Sequence, residues 1–161
     1  MTPHVEKARA ALDRLRAEGI TMAAAESCTG GLLTATLTEV PGCSEFVDCA
    51  FVTYSNASKQ EMLGLDAALI DAHGAVSEPV ARAMAEAALA RSRAGLAVSI
   101  TGVAGPGPSE RKPEGRVCFA CARSGRETRV LTRDFGPLGR EAVRQASVEQ
   151  ALDLVIDACG G

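Results

Sequence analysis

The sequence predicts an α/β protein, a three-layer α/β/α sandwich built on a mixed sheet. Two observations predict it. Amphipathic helical stripes alternate with short apolar runs, and two late apolar runs, 116–122 and 128–135, are split by Ser124-Gly125-Arg126, a hairpin turn. At 161 residues the chain fits one domain, residues 1–161, and a core of this size forms without metal or disulfide staples.

Val5, Ala8, Ala11, Leu12 and Leu15 make one stripe of a helix over 4–18, closed by Gly19. Residues 20–25 read as a buried strand. Glu26-Ser27-Cys28-Thr29-Gly30-Gly31 interrupts the apolar pattern, which resumes as a helix over 32–40 and stops at Pro41-Gly42. Residues 46–54 form the next strand. Ser55-Asn56-Ala57-Ser58 is a cluster of cap residues, and Ser58 with Glu61 fits a capping box for a helix starting near Lys59. A short helix over 66–72 is closed by His73-Gly74. Ser77-Glu78-Pro79 opens a helix that runs to about Ala94. Residues 96–101 are a buried strand, and Gly102 to Glu114 is loop. After the hairpin, a long amphipathic helix over 138–159 closes the fold.

Composition removes several function classes. Aromatic residues are 3%, with Tyr54 the sole tyrosine and no Trp, so the chain has no stacking platform for single-stranded nucleic acid. A net charge of -3 argues against a protein that coats a polyanion. No run of about 18 apolar residues exists to span a bilayer. Without a signal-peptide pattern, the six cysteines are expected to be reduced thiols in a cytoplasmic protein. Cys118 and Cys121 lie three apart in a strand, which puts them on opposite faces, and the only histidines are His4 and His73. No metal site and no cofactor are expected.

Four segments carry chemistry. In Glu26-Ser27-Cys28-Thr29-Gly30-Gly31 a strand ends at a hydroxyl, and two glycines admit a ligand at the start of a helix. Free N–H groups at such a start favour a phosphate or an acyl-transfer oxyanion. Ser27 is placed either to be an exposed nucleophile or, with Thr29, to cap the helix. Cys28 shares the position, where a thiolate would be favoured. The segment is neither Gly-x-Ser-x-Gly nor a P-loop. Tyr54 and Lys59 can face one crevice from a strand end and the first turn of the next helix, where open sheets bind ligands. Near a helix N-terminus a lysine cation is disfavoured, which moves it toward the role of a base; a solvated lysine is the plainer alternative. Thr101 and Gly102 open a glycine-rich loop at a strand's carboxyl edge, either a ligand loop or a turn before the hairpin. Arg140 and Arg144, at i and i+4, share a helix face and suit a phosphate or carboxylate, or else a salt-bridged surface.

Together these segments resemble the C-terminal domain of the CinA proteins, whose stand-alone members are nicotinamide-nucleotide amidases. The resemblance rests on Ala25 to Gly31, Phe51 to Asn56, His73 to Glu78, Ser99 to Pro106, and Arg140 to Arg144, and spans nearly the whole chain. It implies a five-stranded, mixed and mostly parallel sheet. It also implies hydrolysis of the carboxamide of nicotinamide mononucleotide to nicotinate mononucleotide and ammonia. Ser27 aligns with the family nucleophile and Tyr54 and Lys59 with its polar partners. Thr101 and one final-helix arginine, preferably Arg140, align with further active-site positions. On this expectation main-chain N–H groups from Thr29 to Gly31 hold the oxyanion, Lys59, or Tyr54 acting as a relay, takes the serine proton, and Arg140 is the candidate to hold the phosphate. Larger members of the family carry an N-terminal domain resembling molybdopterin-binding proteins, and none of it lies in these 161 residues. A pyridine nucleotide is the expected small-molecule partner, with no nucleic acid or membrane, and Ala-rich helix faces are compatible with a homodimer. The alternative is a non-catalytic nucleotide-binding or regulatory module. The intact set Ser27, Tyr54 and Lys59 favours the enzyme.

Overall fold

The computed structural model describes residues 3–160. Five strands form one sheet: β1 (Met22–Glu26), β2 (Val47–Val52), β3 (Leu96–Gly102), β4 (Arg116–Arg123) and β5 (Arg129–Asp134), in the order β2-β1-β3-β4-β5. β1 pairs in parallel with β2 and β3, and β4 runs antiparallel to both β3 and β5. Only β4 therefore opposes the rest, and the sheet is mixed and mostly parallel.

Helices cover both faces, as a central parallel sheet requires. α1 (Val5–Glu18), α2 (Leu32–Thr38) and α6 (Arg140–Ala158) pack on one face, where Leu15, Leu33, Leu152 and Val155 meet Val98, Ile100 and Phe119. α3 (Asn56–Leu63), α4 (Ala67–His73) and α5 (Glu78–Ala90) cover the other, with Leu63, Ile70, Val80 and Met84 against Ala23, Ala25 and Ala97. The small side chains on that face of β1 and β3 let α5 lie close to the sheet. Cys118 packs with Ala81 and Ala85, whereas Cys121 joins the α1/α6 core, so the two thiols lie on opposite sides of the sheet.

Two boundaries differ from the sequence reading by three residues or more. The capping box is formed by Ser55 and Ser58, not by Ser58 and Glu61. Ser58 N–H donates to Ser55 Oγ at 3.0 Å and Ser55 N–H donates to Ser58 Oγ at 3.2 Å. The helix thus starts three residues earlier, at Asn56, and Lys59 is its fourth residue. The helix opened by Ser77 ends at Ala90 rather than Ala94. The Arg93 N–H leaves the helical pattern to donate to Asp48 Oδ2 at 2.8 Å, and Ala94 N–H turns back to Ser92 Oγ. No helix among the described residues is long and apolar enough to cross a membrane.

Candidate active site

The carboxyl ends of β1, β2 and β3 open on the same edge of the sheet, and a cleft of about 350 Å³ lies there. Ser27 follows directly from β1 and is held in line by its N–H, which donates to the Ile100 carbonyl at 3.0 Å. At the neighbouring strand end, Thr53 N–H donates to the Glu26 carbonyl at 2.9 Å. Ser55 then caps α3, and one turn later Lys59 reaches back under the strand end.

Lys59 is fully buried, at 1% exposure, and has no acidic partner among the described residues. Its Nζ lies 3.0 Å from Ser27 Oγ, 2.8 Å from the Thr53 carbonyl and 3.4 Å from the Tyr54 carbonyl. Burial pulls its pKa down from 10.5 to about 8. A neutral amine has two N–H donors and one lone pair. As an ammonium Nζ donates to Ser27 Oγ and to both carbonyls; once deprotonated, with its two N–H groups on the carbonyls, its lone pair would face the Ser27 O–H. The sequence places these groups thirty-two residues apart, and the fold brings them into contact.

Tyr54 stands beside Ser27 through its main chain. Its main-chain carbonyl, not its phenol, is the part beside Ser27, with Ser27 Oγ 3.5 Å away. Its ring is 59% exposed at the mouth of the cleft, where the phenol oxygen accepts from Arg140 Nη2 at 2.7 Å. Arg140 also donates to the Gly105 carbonyl at 2.6 Å. The guanidinium thus bridges the two walls of the mouth through neutral acceptors. The lining holds Lys59 and Arg140 as cations and no carboxylate.

Thr101 and Gly102 line the cleft at the end of β3. Thr101 Oγ1 donates to the Ala75 carbonyl at 2.8 Å, fastening the strand end to the segment before α5. Gly102 is required by packing: a Cβ there would lie 2.6 Å from Val117 Cγ2 and 3.0 Å from the Arg116 carbonyl. Farther along this wall, Glu114 holds the loop by accepting from the Gly107 N–H.

The other expected residues divide between the cleft and its surroundings. Thr29, Gly30 and Gly31 do not line the cleft. The Gly30 N–H donates to the Ser27 carbonyl, and the Gly31 N–H and Thr29 hydroxyl donate to the buried Glu26 carboxylate. Gly31 is still needed, because it caps α2 at φ +104. Arg144 does not reach the cleft either. It donates to the Thr29 carbonyl at 3.0 Å, behind the turn, so only one of the two final-helix arginines stands at the mouth. Cys28 lines the cleft as a neutral thiol, since burial pushes its pKa up to about 12. His73 ends α4 on the surface, outside the cleft.

Sequence reasoning missed Glu26 and Asn56. Asn56 lines the cleft from the first position of α3, and its signal was the cap cluster around it. A larger surface groove of about 510 Å³ between α4, α5 and β5 is lined by Leu69, Pro79, Ala83 and Val130 with Glu78, Arg82 and Glu86, and contains no nucleophile.

Comparison with known proteins agrees with this architecture. A CinA-like protein of Syntrophobacter fumaroxidans is 51% identical over 144 residues, covering 89% of this chain and 34% of the relative. The chain thus spans about a third of the length of the curated relatives it matches. The crystal structure of the competence/damage inducible protein CihA from Agrobacterium tumefaciens superposes with a TM-score of 0.94 at 40% identity, over 100% of this chain and 98% of that one. A competence or damage-inducible protein from Enterobacter asburiae gives a TM-score of 0.93 at 28% identity, over 99% of this chain and all of the other. The family model described as the CinA C-terminal domain matches residues 5–159, and the chain belongs to that family.

Proposed function

We propose that this domain hydrolyses the carboxamide of nicotinamide mononucleotide, with Ser27 as nucleophile and Lys59 as general base. The observation that carries the reading is the buried, carboxylate-free Lys59 amine 3.0 Å from Ser27 Oγ. An isolated serine or a solvated lysine would support nothing of the kind. A hydroxyl beside an amine whose proton is weakly held is an activated nucleophile.

In the proposed reaction neutral Lys59 takes the Ser27 proton as Oγ bonds to the carboxamide carbon. The main-chain N–H of Cys28, the residue after the nucleophile and part of the cleft lining, is the proposed oxyanion donor. The Lys59 ammonium then gives its proton to the departing nitrogen, the C–N bond breaks, and ammonia leaves. Water attacks the resulting ester, its proton passing to Lys59, and Oγ departs as the hydroxyl. Arg140, with no acidic partner among the described residues, is the proposed cation for the 5′-phosphate.

The test is ammonia release from nicotinamide mononucleotide by the chain, its Ser27→Ala variant and its Lys59→Met variant, each with and without a chelator. Turnover by the parent, unaffected by chelator and lost in both variants, supports the reading. Nucleotide binding without turnover by the parent replaces it with the regulatory module, which the competence and damage-inducible names of the structural relatives favour.

A further inference from the structure

Glu26 is the last residue of β1 and is completely buried, yet it makes no ion pair among the described residues. Its carboxylate is committed to the turn that follows. Oε1 accepts from Thr29 Oγ1 at 2.7 Å, from Gly31 N–H at 3.2 Å and from Leu33 N–H at 3.0 Å. Oε2 accepts from Thr34 N–H at 2.9 Å and Thr34 Oγ1 at 2.6 Å. The start of α2, which would otherwise offer N–H groups to an external anion, is already filled by an internal one.

Two further contacts tie this residue to the reactive pair. Ser27 is its chain neighbour, at the mouth of the turn that the carboxylate organises. The Glu26 carbonyl accepts from Thr53 N–H at 2.9 Å, and the Thr53 carbonyl in turn accepts from Lys59 Nζ at 2.8 Å. The side chain therefore fixes the path of the chain after Ser27, and the main chain fixes the strand end that seats Lys59. One residue sets the spacing of both groups.

Resting on the reading of Ser27 as nucleophile, we infer that Glu26 is a positioning residue that holds the Ser27 turn in register with Lys59. Misplacement of reacting groups by about 1 Å can cost on the order of 10²-fold in rate. Glu26→Gln keeps the shape but loses the charge and sets an amide donor against the Thr34 N–H. It is expected to lower kcat tenfold to a hundredfold with KM for the nucleotide within twofold. A helix cap with no positioning role would change the unfolding temperature and leave each folded molecule as reactive as before.

The experiment measures the rate at which a fluorophosphonate probe labels Ser27, located by peptide mass spectrometry, at a temperature where circular dichroism shows every variant folded. This readout does not depend on nicotinamide mononucleotide as substrate. Labelling of the parent at Ser27, slowed at least tenfold in Glu26→Gln, supports the inference. Labelling of folded Glu26→Gln at the parent rate overturns it. If the parent is not labelled at Ser27, the nucleophile reading fails and the positioning role fails with it. Where Glu26→Gln does not fold, Thr34→Val decides: it removes one hydroxyl donor, and it supports the inference if labelling slows at least threefold and overturns it otherwise.

Discussion

Arg140 donates to the phenol oxygen of Tyr54 at 2.7 Å, joining the first turn of α6 to the end of β2 across the mouth of the cleft. The contact links a full positive charge to a neutral acceptor, so an anion entering the mouth can displace the phenol as the guanidinium's partner. Arg140→Ala is expected to raise KM for nicotinamide mononucleotide about tenfold to a hundredfold, the range of a lost charge-assisted hydrogen bond. KM for the unphosphorylated riboside should stay within about twofold. Steady-state kinetics on the two substrates checks it, and an equal rise for both would remove the phosphate from Arg140.

Tyr54 stands beside Ser27 through its main-chain carbonyl, which no side-chain substitution removes. Tyr54→Phe is therefore expected to keep kcat within about fivefold of the parent, since it removes only one exposed hydrogen bond. Lys59→Met should lower kcat by about 10²- to 10⁴-fold, the usual contribution of a general base. If Tyr54→Phe proves as damaging as Lys59→Met, the phenol rather than the amine is the base.

The pKa of Lys59, near 8, gives the rate a direction in pH. The amine acts as base only when neutral, so kcat/KM should rise through about pH 8 and level above it. A stopped-time ammonia assay from pH 6 to 9.5 measures the profile. A flat profile would assign the proton transfer to another group.

Stability follows from the same shift. The unfolded chain binds a proton at Lys59 up to about 10.5, whereas the folded chain releases it near 8. Between these values the unfolded state holds more protons, so stability rises with pH. Below about 8 the burial of the ammonium is a full penalty, worth up to about 3 kcal/mol across that gap, and it fades toward 10.5. Denaturant midpoints of the parent and Lys59→Met should therefore shift relative to each other between pH 8 and 10.5, in favour of the parent as pH rises.

At Gly102, adding a methyl group meets Val117 Cγ2 and the β4 main chain. Gly102→Ala should destabilise the fold by about 1–3 kcal/mol, as overpacking does. Thermal unfolding should show a lower Tm, with a loss of activity because the displaced strand end forms the wall of the cleft.

Much of the fold was legible because its elements are local patterns. The stripe from Val5 to Leu15, the caps at Gly19 and Ser77, and the apolar runs of β1, β3 and β4 each read directly as buried faces. Ser27 and Lys59 were also legible as candidates, through hydroxyl and amine positions at strand ends. Their contact was not, because it depends on where α3 begins, and the choice between two overlapping capping boxes moves that start by three residues. Arg140 and Arg144 share a face by spacing, yet one reaches the mouth and the other the back of the Thr29 turn, since one helical turn separates them along the axis. Glu26 was hidden for a different reason. A carboxylate among Met22, Ala23, Ala24 and Ala25 looks like the end of a buried run, and only the positions of five donors show that it belongs inside.

The docking of α6 against the α1 and α2 layer through Val143, Val148, Leu152 and Val155 has a temporal consequence. During translation the hydroxyl and the amine emerge early, while the electropositive gatepost follows only after the last strand. The mouth of the cleft therefore stays without its guanidinium until the last helix has docked.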